Sequence, residues 1–115
     1  MTRSHVDFLK DIIAYSEKAI ATVSTHPPEA FHRFSDVGMV LMLSLEIVGE
    51  AVKNISVEIK KKYPYVGWKQ AAAMRDILSH QYWRTDFSII IDTVKDDLPH
   101  FLNDIRQVLQ DLGED

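Results

Sequence analysis

Apolar residues recur at helical spacing along most of this chain, and the first such stretch begins near the amino terminus. Ser4 and Asp7 predict the helix start, because a hydroxyl can cap a free amide and a carboxylate suits the positive helix end. The apolar positions that follow repeat every three or four residues: Phe8, Leu9, Ile12, Ile13, Ala19, Ile20 and Val23. Pro27 and Pro28 end this helix, because proline lacks the amide donor.

A second helix is predicted from about Ser35 to Asn54, and its apolar residues cover more than one stripe. A helix that is apolar on several sides must be buried on several sides. In so small a domain the surplus face needs an outside partner, and self-association is the simplest source. Ser56 is expected to cap a short helix that Pro64 closes.

The third main helix is predicted to start between Val66 and Trp68 and to end between His80 and Arg84. The last helix starts after Thr85 or Asp86, and its apolar stripe runs from Phe87 to Leu112. Pro99 lies inside that stripe. It either kinks the helix or falls in the first turn of a renewed helix capped by Asp96 or Asp97.

No segment alternates between apolar and polar residues as a strand would. The pattern therefore predicts an all-α fold, an up-and-down bundle of four to five helices. The 115 residues fit a single helical domain spanning 1–115, without a linker, repeat or low-complexity tract.

Composition narrows the class of protein. Apolar residues make up 46% and charged residues 26%, as in a globular domain, and the absence of cysteine suits a reducing cytoplasm. The amino-terminal stretch carries acidic residues within its apolar part, unlike a signal peptide. The longest charge-free apolar run, 37–45, is too short to cross a bilayer. We therefore expect a cytoplasmic protein without a membrane span.

The formal net charge of −4 argues mildly against a dedicated nucleic-acid binder, although the charge is unevenly distributed. Basic residues dominate from Lys53 to Arg84, whereas acidic residues dominate after Asp86. Such a basic segment can still attract a polyanion locally. For Lys60–Lys62 taken alone, a solvated helix end is the favoured interpretation, because cations suit the negative end of the dipole.

The sequence "MRDILSHQY" combines Arg75, His80 and Tyr82 in the third main helix. Residues five apart are roughly 140° apart around a helix, so Arg75 and His80 do not share a face. Either the helix ends or loosens before His80, or two chains pair so that residues of both line one cleft. Arg75 and Tyr82, seven apart, would share a face if the helix continued.

These residue types suit cleavage of RNA phosphodiesters without a metal ion. A histidine titrates near neutrality and can exchange the proton of the 2′-hydroxyl or of the leaving group. An arginine offers a planar fork to phosphate and stabilises charge on the phosphoryl oxygens. The spacing alone, however, favours a surface or helix-end role.

Glu46 and Glu50 are four residues apart, and hence on one face of the second helix. They could bind a metal, act as acid and base, anchor Arg75 through an ion pair, or pair with Lys53. No histidine or aspartate at ligand spacing joins them, so no metal site is expected. Gly49 lies between them and would allow another helix to approach closely.

The segments "LEIVGEAVKN", "KKYPYVGWKQAAAMRDILSHQYWRTD" and "VKDDLP", in this order, resemble the HepT-like branch of the HEPN superfamily. These proteins are the toxins of HEPN/minimal-nucleotidyltransferase toxin–antitoxin pairs. The resemblance runs from about Val37 to Leu112, and its combination of motifs is far more specific than the Arg75–His80 spacing.

The resemblance implies a role for each residue of the R-x4-H-x-Y motif. Arg75 and His80 would be the ribonuclease residues, brought together with those of a second protomer in a cleft. Asp76 matches the polar residue that follows the arginine. Tyr82 would accept AMP from the partner nucleotidyltransferase, which silences the toxin, since a bulky anion there would repel RNA. Family members often carry glycine where this chain has Gln81.

The leading hypothesis is therefore a homodimeric endoribonuclease toxin that needs no cofactor, acts on RNA and is neutralised by a cognate minimal nucleotidyltransferase. His80 would be the general acid/base and Arg75 the phosphate contact, with Glu46 and Glu50 in support. The alternative is a non-enzymatic helical module that holds a nucleotidyltransferase. An intact Arg75/His80 pair favours the enzyme, because a scaffold would not need it.

Overall fold

The computed structural model describes residues 3–32, 34–80 and 82–113, and within them the chain is helical, without a β-strand. The α-helices of this part of the chain are α1 His5–Ser24, α2 Asp36–Lys53, α3 Val57–Lys62, α4 Trp68–His80, α5 Phe87–Asp96 and α6 Leu98–Asp111. Two short 3-10 turns, Pro28–Ala30 and Tyr82–Arg84, lie in the connections after α1 and α4.

Polar side chains begin the helices where the sequence predicted them. Ser4 and Asp7 form a reciprocal capping box at α1, in which each side chain accepts from the other residue's backbone amide. Ser35 caps α2, Ser56 caps α3, and Asp86 caps α5 through the amide of Ser88. These caps satisfy amides that the first turn of each helix leaves without a partner.

The last apolar stripe is divided into α5 and α6 at Asp97. Of the two predicted outcomes for Pro99, the renewed helix is the one observed, with the proline in the first turn of α6. Asp97 occupies the N-cap position, but its side chain makes no capping hydrogen bond. Asp97 is thus one of the two predicted cap residues, but its backbone angles, φ −106° and ψ −40°, are helical, whereas a capping side chain needs an extended backbone.

The bundle is assembled around α1, which packs against α2, α5 and α6, while α2 also packs against α4. Its centre consists of fully buried aliphatic side chains from several helices: Leu9, Ile12, Leu41, Val52, Val94, Ile105 and Val108. Trp68 at the start of α4 is also buried, and its indole nitrogen donates to the carbonyl of Tyr63 at 3.0 Å. The all-α bundle predicted from the apolar pattern is confirmed.

One face of α2 remains uncovered in the single chain. Met39 and Leu43, one helical turn apart, keep 59% and 58% of their surface exposed. Val40 and Phe34 extend this apolar patch, and all four side chains line one shallow groove. This is the surplus apolar face expected from the sequence. None of the helices in the described residues is long and apolar enough to cross a membrane.

Candidate active site

The candidate site lies where α4 crosses α2, and Gly49 is the residue that permits the contact. A β-carbon built on Gly49 would lie 2.1 Å from the β-carbon of Arg75 and 3.0 Å from the carbonyl oxygen of Ala71. Any larger side chain would therefore push the two helices apart. The close helix approach predicted for Gly49 is confirmed, and it carries Arg75 to the carboxylates of α2.

Arg75 is held between two carboxylates. Its Nε lies 3.3 Å from Oε2 of Glu50, and its Nη1 lies 3.6 Å from Oδ1 of Asp76. Nε is buried yet has no hydrogen-bond partner among the described residues. Within the described part of the chain, the guanidinium is thus oriented by charge while no group hydrogen-bonds to it. Of the roles considered for Glu50, anchoring of Arg75 is the one that this geometry fits.

Asp76 is bound by a second cation, Lys53 from the last turn of α2. The Lys53 ammonium donates a hydrogen bond to Oδ1 of Asp76. This bond, followed by the charges of Lys53, Arg75 and His80, lowers the pKa of Asp76 below its ordinary value. The carboxylate therefore stays charged and is shared between Lys53 and Arg75.

Glu46 contacts the end of α4 one turn beyond Arg75. Its Oε1 accepts a hydrogen bond of 2.6 Å from the hydroxyl of Ser79, the residue before His80. A hydrogen bond to a carboxylate is stronger than one between neutral groups. The contact fixes the last turn of α4, and with it the base of the His80 side chain, against α2.

His80 is the last residue of α4 and is exposed. The helix therefore neither ends nor loosens before His80, so the first of the two ways to bring it beside Arg75 is absent. The two side chains point from different faces of one helix, as the five-residue spacing requires. Pairing of two chains is the way that remains.

Tyr82 leaves the helical register, because it belongs to the 3-10 turn that follows α4. The expectation that Arg75 and Tyr82 share a helix face required α4 to continue, and that condition fails. Tyr82 instead lines the α2 groove together with Glu46 and Leu43, with 55% of its surface exposed. Its ring meets Trp83 edge to face at 5.6 Å. Gln81, the departure from the usual glycine, lies outside the described residues.

Two participants in this site were not predicted from the sequence. Lys53 was considered as a partner of Glu46 or Glu50 on its own helix, but it pairs with Asp76 on α4. Ser79 was read only as part of the helix. Neither contact follows from spacing within one helix, because both depend on how closely Gly49 lets α2 and α4 approach. No group of three or more His, Asp or Glu side chains suited to hold a metal ion occurs within residues 3–32, 34–80 and 82–113.

The fold and the site together define a helical bundle with an arginine and a histidine on α4 and a tyrosine in the uncovered apolar groove of α2. Comparison with known families identifies this class. The family model described as "Ribonuclease HepT-like" matches residues 9–108, so the chain belongs to the HepT-like family of the HEPN superfamily.

Curated relatives match nearly the whole chain. The chain is 34% identical over 107 residues to "Putative RNase MJ0125" of Methanocaldococcus jannaschii, covering 93% of this chain and 92% of that protein. It is 37% identical over 103 residues to "Probable ribonuclease HepT" of Thermococcus cleftensis, covering 86% and 90%. "Putative RNase TTE0752" of Caldanaerobacter subterraneus is 34% identical over 103 residues, covering 90% and 92%. No solved structure gives a significant match.

Proposed function

We propose that this protein is a metal-independent endoribonuclease and the toxin of a toxin–antitoxin pair. The observation that carries the proposal is the guanidinium of Arg75. Glu50 and Asp76 orient it at distances of 3.3 and 3.6 Å, yet no group of the described chain hydrogen-bonds to it. Nε is buried, and the donors that remain available to the oxygens of a phosphodiester are those of the two Nη groups.

The reaction is a transesterification within the RNA backbone. The 2′-hydroxyl attacks the adjacent phosphorus as its proton passes to an imidazole, and the bond to the 5′-oxygen breaks as that oxygen takes up a proton. The products are a 2′,3′-cyclic phosphate and a 5′-hydroxyl. His80, exposed at the end of α4, supplies the proton transfers, and Arg75 stabilises the charge that develops on the phosphoryl oxygens.

The active form is a homodimer, and the α2 face supports this. The exposed side of α2 carries Met39 and Leu43 in its first half and Glu46, Glu50 and Lys53 in its second half. The uncovered apolar surface thus leads directly to the residues that hold Arg75 and the end of α4. A second copy packed on Met39 and Leu43 would cover apolar surface and bring two copies of the site together.

Tyr82 provides the point of regulation. It lines the same α2 groove and is more than half exposed, so a partner nucleotidyltransferase can reach its hydroxyl. Transfer of AMP from ATP to the Tyr82 hydroxyl, with release of pyrophosphate, would place a phosphodiester anion and a nucleoside at the edge of the proposed dimer cleft. Negative charge there repels RNA, and bulk there blocks access to it. The antitoxin is thus proposed to act by modification of Tyr82.

The decisive experiment compares purified wild-type protein with Arg75→Ala and His80→Ala, each incubated with single-stranded RNA in excess EDTA. We expect the wild type to cleave with a cyclic phosphate as product and both variants to lose at least about a hundredfold in rate. An RNA with 2′-deoxyribose at the cleaved position should remain intact. Full activity in both variants, or activity that needs an added divalent metal, would overturn the proposal. Harmless expression without cleavage would favour the non-enzymatic module.

A further inference from the structure

A basic cleft lies between the end of α3 and the start of α4, on part of the chain that the proposed chemistry does not use. The cleft has a volume of about 500 Å³. Lys60, Lys61 and Lys69 line it together with Tyr65, and no carboxylate is among its lining residues in the described chain. In a protein with a net charge of −4, such a concentration of ammonium groups is a local exception.

Helix stability explains two of these lysines but not the third. Lys60 and Lys61 lie in the last turn of α3, where cations stabilise the negative end of the helix dipole. Lys69 is the second residue of α4, where a cation is unfavourable, and the first turn of α4 contains no acidic residue. The positive end of α4 is thus reinforced by a lysine, so a bound anion would relieve the unfavourable charge.

Tyr65 adds an aromatic surface to the same cleft. Its ring keeps 57% of its surface exposed. The buried ring of Tyr63 packs against it edge to face at a centroid distance of 6.3 Å. Tyr63 thus supports the ring of Tyr65 on one side, and the exposed surface of Tyr65 is one on which a nucleobase can stack.

The cleft and His80 are connected along one face of α4. Lys69, Asp76 and His80 are separated by seven and four residues, which brings them within about 40° of one another around the helix axis. Lys69 lies about 16 Å along the axis from His80. Ala73, exposed between them, adds no charge, and Asp76 is engaged by Lys53. The face offers no unpaired carboxylate that would repel a polyanion.

We propose that this cleft binds the single-stranded RNA that flanks the cleaved bond. The strand would run from His80 along the exposed face of α4, its phosphates contacting Lys69, Lys60 and Lys61 and one base stacking on Tyr65. The proposal rests on the proposed ribonuclease function and names a binding subsite for its substrate. Because neither Arg75 nor His80 lines the cleft, it contributes to affinity for long RNA and does not take part in the chemical step.

The test measures the affinity of a fluorescein-labelled single-stranded RNA of about twenty nucleotides by anisotropy, in a His80→Ala background so that cleavage does not interfere. The triple variant Lys60→Gln, Lys61→Gln, Lys69→Gln removes three charges and keeps most of each side chain. We expect affinity to fall on the order of tenfold, and the slope of log K against log salt to decrease by about 2, from three lost phosphate contacts. The matched control neutralises three exposed lysines elsewhere, Lys10, Lys18 and Lys95.

A second pair of variants tests the aromatic platform independently of charge. Tyr65→Ala should weaken binding by at least about fivefold, whereas Tyr65→Phe, which keeps the ring, should bind as the parent does. This pair remains informative if the triple variant folds poorly. Equal affinities for the triple variant and its control, or for Tyr65→Ala and Tyr65→Phe, would overturn the proposal.

The two proposals fail in different ways. If the triple variant in an otherwise wild-type chain cleaves a trinucleotide at the normal rate and long RNA with raised KM, both proposals stand. If RNA is bound through the cleft but wild-type protein never cleaves it, the ribonuclease function falls and the binding surface remains. If cleavage occurs and all variants bind RNA equally, only the binding surface falls.

Discussion

Gly49 and Arg75 face each other across the α2–α4 crossing with no room for an additional carbon. A β-carbon on Gly49 would lie 2.1 Å from Cβ and 2.9 Å from Cγ of Arg75, distances that non-bonded carbons do not adopt. The position of the Arg75 guanidinium thus depends on residue 49 being a glycine, which has no side chain. The same crossing brings Lys53 to Asp76 and Glu46 to Ser79, so one glycine controls the geometry of the whole candidate site.

Gly49→Ala should therefore damage stability and activity together. The added methyl group forces α4 away from α2, which we expect to lower the free energy of unfolding by about 1–3 kcal/mol, although alanine is the better helix former. Displacement of Arg75 should lower the rate of RNA cleavage by more than the loss of folded protein explains. Urea denaturation and cleavage assays on the same preparation separate these two effects.

The control for this variant removes the opposing β-carbon. In an Arg75→Gly background, Gly49→Ala should cost much less stability, because the shortest contact no longer exists. A double-mutant cycle measures the difference between the two costs. If Gly49→Ala costs the same in both backgrounds, steric contact with Arg75 is not the reason for the glycine.

We predict that Lys53 keeps the Asp76 carboxylate from forming a closer ion pair with the Arg75 guanidinium. Without the Lys53 ammonium, the Asp76 carboxylate has Arg75 as its nearest cation, and it then competes with phosphate for the same donors. Lys53→Met should raise KM for RNA several-fold with a smaller effect on kcat. Cleavage assays over a range of RNA concentrations give the two constants.

The matched rescue is Asp76→Asn in the Lys53→Met background, which removes the competing charge. Recovery of KM toward the wild-type value supports this positioning role for Lys53. If KM stays high in the double variant, Lys53 acts on RNA directly and Asp76 is incidental.

Most of the fold was accessible from the sequence because its signals are local. The caps Ser4, Ser35 and Ser56 act within one turn of their own residue, and the apolar stripes repeat within each helix. The outcome at Pro99 could not be decided, because a kinked helix and a renewed helix bury the same apolar positions. Packing of α5 and α6 on α1 decides between them, and that information is not local.

The candidate site was predictable in its residue types but not in its contacts. Arg75 and Glu50 were considered as an ion pair, and the structure has them 3.3 Å apart. The Lys53–Asp76 and Ser79–Glu46 contacts join residues 23 and 33 positions apart, so no periodicity relates them. A shared face for Arg75 and Tyr82 depended on a continued helix, and that condition is not met, because α4 ends at His80 and Tyr82 lies in a 3-10 turn.

Ser79→Ala should loosen the end of α4. The substitution removes the 2.6 Å hydrogen bond to Glu46 and leaves a partly buried carboxylate without this donor, which we expect to cost about 1–2 kcal/mol of folding stability. Glu46→Gln is the matched control, because an amide oxygen can still accept from Ser79. Hydrogen exchange should show faster exchange at amides near His80 in Ser79→Ala than in Glu46→Gln. Equal protection in both variants would contradict a role for this bond in fixing His80.

Three carboxylates with lowered pKa values should make the folding stability depend on pH in acid. Hydrogen bonds from Ser4, Lys53 and Ser88 lower the pKa of Asp7, Asp76 and Asp86 respectively below the ordinary value of 3.8. A lowered folded-state pKa contributes stability that is complete above the ordinary value and is lost as the pH falls through the folded-state value. These three groups should therefore leave the urea midpoint of unfolding unchanged above about pH 5 and lower it in stronger acid.

The contribution of a single cap can be isolated with Asp86→Asn, which keeps an acceptor oxygen but cannot titrate. Its urea midpoint should fall less steeply below about pH 4 than that of the wild type. An identical acid dependence in the two proteins would show that the Asp86 cap contributes nothing to the pH response.

A dimeric site can be tested by mixing two inactive chains. Arg75 and His80 lie on different faces of α4, so a site that uses both within one cleft requires Arg75 from one protomer and His80 from the other. A mixed dimer of an Arg75→Ala chain and a His80→Ala chain then contains one intact site, and we expect about half the wild-type rate per dimer. Co-expression with two affinity tags and sequential purification isolates the mixed species, and the two homodimeric variants serve as controls.

Leu43→Glu, on the apolar patch of α2, should prevent this complementation by separating the protomers. Ile89→Glu, at a similarly exposed apolar position on α5, should not. A mixed dimer as inactive as its parents would contradict a site shared between protomers.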